Sequence, residues 1–168
     1  MKILVLNGSP KGDYSITLKT VEYIEKHNPG YEFRVLNVGK NIKKYEKDFS
    51  ETQSALQEAE MILFSFPVYT FLAPSQLHKF IRLMKENGGE LSGKWASVIT
   101  TSKHFYDITA HNYIKENCMD MGLKFVNGLS ADMDDLLHEE GRREALAFFD
   151  HLIWSVKNDI YEKDLFVQ

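Results

Sequence analysis

The sequence predicts an α/β fold, a doubly wound five-stranded parallel sheet with helices on both faces. Two observations carry that expectation. Short continuous apolar runs alternate with amphipathic stretches about five times along 168 residues, which is the pattern of repeated β–α units. The runs at 2–7 and 61–66 are also continuously apolar rather than alternating, as expected of strands covered on both sides.

"KILVLN" at 2–7 reads as the first strand. From Ser15, Leu18, Val21 and Ile24 mark a helix that "NPG" stops at 28–30. "YEFRVLNV" at 31–38 alternates like a second strand. The polar stretch 39–60 places Ile42, Tyr45, Phe49 and Leu56 at roughly helical spacing, and "MILFSF" at 61–66 is a third strand. In "APSQLHKFIRLMKENGG" Pro74 suits a first turn, Leu77, Phe80, Ile81 and Met84 form one stripe, and Gly88 and Gly89 close the helix. "KWASVITTS" is a fourth strand. Ile108, His111, Ile114, Cys118 and Met121 line the next helix. "LKFVNGLSA" is a fifth strand weakened by Asn127 and Gly128, and a last helix spans about 139–158. No linker or repeat divides the chain, so a single domain over 1–168 is expected, its tail from about 159 unassigned.

Composition narrows the function. A net charge of −4 with 26% charged residues lacks the basic excess of a nucleic-acid binder. The lone Cys118 leaves no disulfide, zinc or iron–sulfur set within the chain. There is neither a membrane-spanning apolar run nor a secretion signal, so a cytoplasmic protein is expected. The acidic stretch 132–140 reads as helix-start residues favoured by the dipole rather than as a metal site. His111 reads as a packing residue, His78 as part of a solvated face, and Cys118 as inert core.

Parallel sheets of this kind bind ligands at the carboxyl ends of their strands. After the first strand, "NGSPKGDYSIT" gathers Ser9, Lys11, Ser15 and Thr17 at the start of a helix, whose free N–H groups and partial positive charge suit a phosphate. It is neither a Walker loop nor a GxGxxG turn. A plain turn with a capping serine is the bland alternative. After the third strand come Pro67, Val68, Tyr69, Thr70 and Phe71, whose aromatics suit a flat ring and whose backbone supplies amides. They would otherwise pack over the sheet edge. After the fourth, "TTSKHFYD" offers Thr101, Ser102, Lys103, His104 and Tyr106.

"ILVLNGSPKGDYSIT" resembles the GSPR…SNT phosphate loop of the flavodoxin-like NAD(P)H-dependent FMN reductases, and "FPVYTFLAPSQLHKFIRLM" resembles that family's SPVY segment. The layout matches over the whole chain. The resemblance implies a flavodoxin-like FMN-dependent oxidoreductase passing electrons from NAD(P)H to a small acceptor such as a flavin or quinone. The flavin would do the chemistry, so no catalytic residue is singled out. It also implies a homodimer. Ile16 replaces the usual Asn, with its backbone amide still available. Lys11 replaces the usual Arg, keeping the charge without the fork. The bulky third loop replaces a glycine-rich one, and Lys103 or His104 would meet the charge of a reduced flavin. The cysteine loop of the iron–sulfur branch is missing. An electron-carrier module with a redox protein partner, or a cofactor-free scaffold, would share the layout. A receiver domain is set aside, because the first strand ends in Asn7 and Gly8 rather than acidic residues.

Overall fold

The computed structural model describes residues 1–69, 72–102 and 107–163. Six strands form one parallel sheet: β1 (Lys2–Asn7), β2 (Glu32–Leu36), β3 (Met61–Pro67), β4 (Trp95–Ser102), β5 (Lys124–Phe125) and β6 (Leu129–Asp132). The order is β2-β1-β3-β4-β5, with β6 also paired to β4. The helices are α1 (Ile16–Lys26), α2 (Ile42–Lys47), α3 (Ser50–Glu58), α4 (Ser75–Asn87), α5 (Ile108–Asp120) and α6 (Glu139–Lys157). The chain winds outward from β1 in both directions, as the doubly wound reading requires.

Alternate strand residues feed separate cores. Ile3, Val5, Leu63 and Ile99 pack with Leu18, Val21 and Ile24 of α1 and Phe149 and Leu152 of α6. Leu4, Leu6, Phe64 and Val98 pack with Leu56, Phe80, Ile114 and Cys118 from α3, α4 and α5. Burial on both faces is why β1 and β3 read as unbroken apolar runs, whereas β2, at the sheet edge, alternates.

The polar stretch 39–60 is two helices, α2 and α3, with Phe49 as the N-cap residue of α3. Asp48 makes the break: its carboxylate accepts from the N–H and hydroxyl of Ser50, a local bond that competes with continuing the first helix.

The weak fifth strand is one strand broken by a bulge. Trp95 pairs with Lys124 and Ile99 with Leu129, so the partner advances one extra residue between the two pairings. The Ser97 hydroxyl donates to the carbonyl of Val126 in the gap, 2.8 Å. Gly128 is required there, because a Cβ would lie 2.0 Å from the Val98 carbonyl oxygen. Beyond α6 the tail folds back. The Glu162 N–H donates to the Phe125 carbonyl, 2.7 Å, and Tyr161 meets Trp95 edge-on, covering the outer edge of β5.

Candidate functional site

The β1–α1 loop is built on Asn7, the last residue of β1 and fully buried. Its amide donates to the Gly12 carbonyl and to Asn37 Oδ1, both at 2.9 Å. Its Oδ1 accepts the Ser9 N–H, and its carbonyl accepts the Gly39 N–H. Asn37 in turn donates to the Asp13 carboxylate, 2.9 Å. Gly12 sits at φ +58°, where a Cβ would also strike Lys40. Gly39 lies so close that a Cβ would be 2.2 Å from the Gly8 carbonyl oxygen. The loops after β1 and β2 therefore hold one another.

The loop delivers Ser15 to the start of α1. Ser15 is the N-cap residue, yet its side chain makes no capping bond. Its Oγ is buried and has no hydrogen-bond partner among the described residues. The N–H groups of Ile16, Thr17 and Leu18 likewise have no backbone acceptor there. These are the donors that an anion at a helix N-terminus takes up. Of the other expected residues, Ser9 is buried with its hydroxyl accepting the Lys11 N–H, 3.2 Å. Lys11 is exposed, and Ile16 turns half of its side chain to solvent. Thr17 is wholly buried, and its hydroxyl shares a 2.7 Å hydrogen bond with that of Thr101 at the end of β4.

Pairing of β1 with β3 aligns Asn7 with Ser65, and pairing of β3 with β4 aligns Pro67 with Thr101. Asn7, Ser65 and Thr101 face α1, so a polar floor of buried side chains replaces the apolar core at the carboxyl end. The Ser65 hydroxyl is a second buried group without a partner among the described residues. Val68 is tied by its N–H to the Thr101 carbonyl. Tyr69 is 61% exposed and stands with Leu72, Tyr14, Ile16, Ile108 and Leu137 among the exposed large apolar residues. Ser102 is buried at the end of β4. The expected site residues Thr70, Phe71, Lys103, His104 and Tyr106 lie outside the described residues.

On the other face of β4, Thr100 donates to the buried Asp107 carboxylate at 2.5 Å and accepts from His111 Nε2 at 2.8 Å. The Ser130 hydroxyl lies 3.3 Å from the same nitrogen. His111 is thus a hydrogen-bonded packing residue, and burial holds its pKa below the ordinary histidine value. Ser130 and Asp107 both approach Nε2, so these side chains do not form a hydrolytic triad. His78 differs from the solvated face expected of it. It is partly buried, stacks on Tyr113 at 4.2 Å and lies within hydrogen-bond distance of the Ala73 carbonyl. Helical spacing showed its own helix but not α5 beside it.

Sequence reading missed Asn7, Asn37, Ser65 and Asp107. A signal for the first two was present. A Leu–Asn pair closes β1 and another stands at the end of β2, where Asn37 directly follows the last strand residue; the register places Leu6 beside Leu36, which sets the two asparagines together. No group of three or more metal-ligating side chains occurs among the described residues. None of the helices described is long and apolar enough to cross a membrane.

A groove of about 170 Å³ lies at the opposite end of the sheet, lined among others by Lys2, Phe33, Arg34, Glu32 and Glu58. Its two cations and two carboxylates offset each other, so it lacks the concentration of unspent donors found at the carboxyl end.

Comparisons with known proteins agree with this architecture. The chain superposes on an NADH:FMN oxidoreductase (EMOB) in its apo form with a TM-score of 0.77 and 20% identity, covering 98% of this chain and 91% of that one. RosB bound to the intermediate 8-demethyl-8-formylriboflavin-5'-phosphate gives a TM-score of 0.70 at 15% identity, over 98% and 83% of the two chains. An FMN-dependent NADH-azoreductase from Bacillus anthracis str. Ames Ancestor in complex with FMN gives 0.64 at 15%, over 94% and 98%. These likenesses establish the fold. No curated protein sequence matches the chain. A family profile described as flavodoxin-like fold matches residues 1–133, and with the strand order and the loop geometry it establishes that the chain belongs to the flavodoxin-like fold family.

Proposed function

We propose that the protein is an FMN-dependent oxidoreductase that passes electrons from NAD(P)H to a small acceptor of the flavin or quinone class. The observation that carries the reading is the buried Ser15 hydroxyl, without a partner among the described residues, beside the N–H groups of Ile16, Thr17 and Leu18, which have no backbone acceptor among them. A buried hydroxyl without a partner is costly, and a phosphate at that position supplies the missing acceptor. The site also lies where sheets of this strand order take FMN, at the switch point between β1 and β3.

FMN, when bound, supplies the hydride chemistry. The chain's own residues hold and shield it. Ser9, Lys11, Ser15 and the 16–18 amides take the phosphate, Lys11 adding a positive charge at the rim. Thr17 takes part through its amide and, by its bond to Thr101, fixes the helix start against β4. Pro67, Val68 and Tyr69 wall the ring and exclude water from one side, with Thr101 and Ser102 beneath. Thr70, Phe71, Lys103, His104 and Tyr106 complete the proposed site. Exposed apolar side chains on the segments that follow the carboxyl ends of the strands, Tyr14 and Ile16 after β1, Tyr69 and Leu72 after β3, and Ile108 after β4, support planar apolar acceptors and a homodimer closing over the site. The net charge of −4 lacks the basic excess of a nucleic-acid binder, and the enzyme is proposed to act in the cytoplasm.

The test is to load the protein with FMN, remove the excess, record the visible spectrum, and follow NAD(P)H oxidation with a quinone. Retained flavin with turnover supports the enzyme. Retained flavin without turnover supports a carrier of single electrons. Loss of all flavin supports a scaffold.

A further inference from the structure

We propose that Asn7 and Asn37 are positioning residues of the phosphate loop, and that Asn37 restrains the loop's carboxylate, Asp13, from the anion site. The inference rests on the FMN reading and deepens it. A continuous line of hydrogen bonds runs from the Gly12 carbonyl through the Asn7 amide to Asn37 Oδ1, and from Asn37 Nδ2 to Asp13 Oδ1. Asn7 also accepts the Ser9 N–H, so one buried side chain sets both ends of the 9–12 turn.

The direction of the line matters. Asp13 is drawn toward β2, on one side of β1. Thr17, in the first turn of α1, addresses the other side, where it reaches Thr101 of β4. Asp13 is a carboxylate two residues from the proposed phosphate donor, and an unrestrained negative charge there would oppose binding of a dianion. Asparagine suits the restraining position because its amide accepts from Asn7 and donates to Asp13 at once. Neither aspartate nor leucine does both.

The experiment is calorimetric binding of FMN and of riboflavin to the wild type and to Asn37→Ala, Asp13→Asn, the double variant Asn37→Ala/Asp13→Asn, and Asn7→Asp. Asn37 is only partly buried, so its removal leaves the core intact. Asn37→Ala is expected to weaken FMN ~10-fold and riboflavin less than about twofold. Adding Asp13→Asn to it restores FMN to within about threefold of the wild type. Asn7→Asp, equal in size but unable to donate to Gly12 and Asn37, lowers FMN affinity further. Rescue by Asp13→Asn is the readout that a purely structural role does not give. The inference is overturned if Asn37→Ala weakens both ligands alike, leaves FMN unchanged, or is not rescued by the second substitution. A wild type that binds riboflavin as tightly as FMN overturns the phosphate reading itself, and this inference with it.

Discussion

Replacing Ser15 by alanine separates a ligand-binding hydroxyl from a capping one. N-cap serines ordinarily stabilise a helix by about 1 kcal/mol through a bond to the first-turn amides. Ser15 makes no such bond, and its Oγ has no partner among the described residues while buried from solvent. The substitution therefore removes no hydrogen bond to any of the described residues of the ligand-free protein. It removes a desolvated, unsatisfied hydroxyl, a group that ordinarily costs about 1–3 kcal/mol. The ligand-free variant is expected to be as stable as the wild type or more stable by up to about 1 kcal/mol. With FMN the sign reverses. A hydrogen bond to a charged group is worth about 1.5–3 kcal/mol, so affinity falls roughly 10- to 100-fold. Urea unfolding without ligand and calorimetry with FMN and riboflavin measure the two effects. Thr17→Val is the contrast. It breaks the buried bond to Thr101 and leaves that hydroxyl unpaired, lowering ligand-free stability by about 1–3 kcal/mol. If Ser15→Ala destabilises the ligand-free protein by 1 kcal/mol or so and leaves FMN affinity unchanged, the hydroxyl is a cap and the argument fails.

Other consequences are equally direct. Gly39→Ala places a Cβ against the Gly8 carbonyl oxygen, and the forced shift of two interlocked loops is expected to cost about 1–3 kcal/mol in urea unfolding while lowering FMN affinity. Tyr69→Ala, at an exposed position, leaves stability within about 0.5 kcal/mol but weakens FMN by about 0.5–1.5 kcal/mol and changes flavin fluorescence quenching. Burial pushes the Cys118 thiol well above its usual pKa, so iodoacetamide is expected to label it only after denaturation; rapid labelling of the native protein would contradict its placement. For His111, burial lowers the native pKa below the reference 6.5. The unfolded chain then binds the extra proton, so stability is fully present above about pH 6.5 and falls as pH drops through the native pKa. His111→Gln flattens that segment of the stability–pH profile.

How much of this was legible in the sequence depends on which force placed each residue. Strands buried on both faces announce themselves as apolar runs, so β1, β3 and β4 were readable directly. The Asp48–Ser50 bonds that divide α2 from α3 are local but leave no mark on apolar spacing. The bulge at Asn127–Gly128 registered only as a weakness in the fifth strand, since it depends on the Val98 backbone across the sheet. In the candidate site, turn and cap chemistry marked Ser9 and Ser15. Composition did not reveal that Thr17 meets Thr101 across 84 residues, or that Asn7 and Asn37 meet at all, because both pairings follow from strand register. The matching Leu–Asn pairs at 6–7 and 36–37 become a signal only once β1 and β2 are set side by side.

Amide chemical-shift mapping of the protein titrated with FMN locates the phosphate directly. The account predicts that the largest changes fall on the backbone amides from Gly8 to Leu18, with Ile16, Thr17 and Leu18 foremost, and that riboflavin fails to reproduce them. Changes centred on Lys2, Phe33 and Arg34 at the opposite end of the sheet, or identical changes with riboflavin, would contradict it.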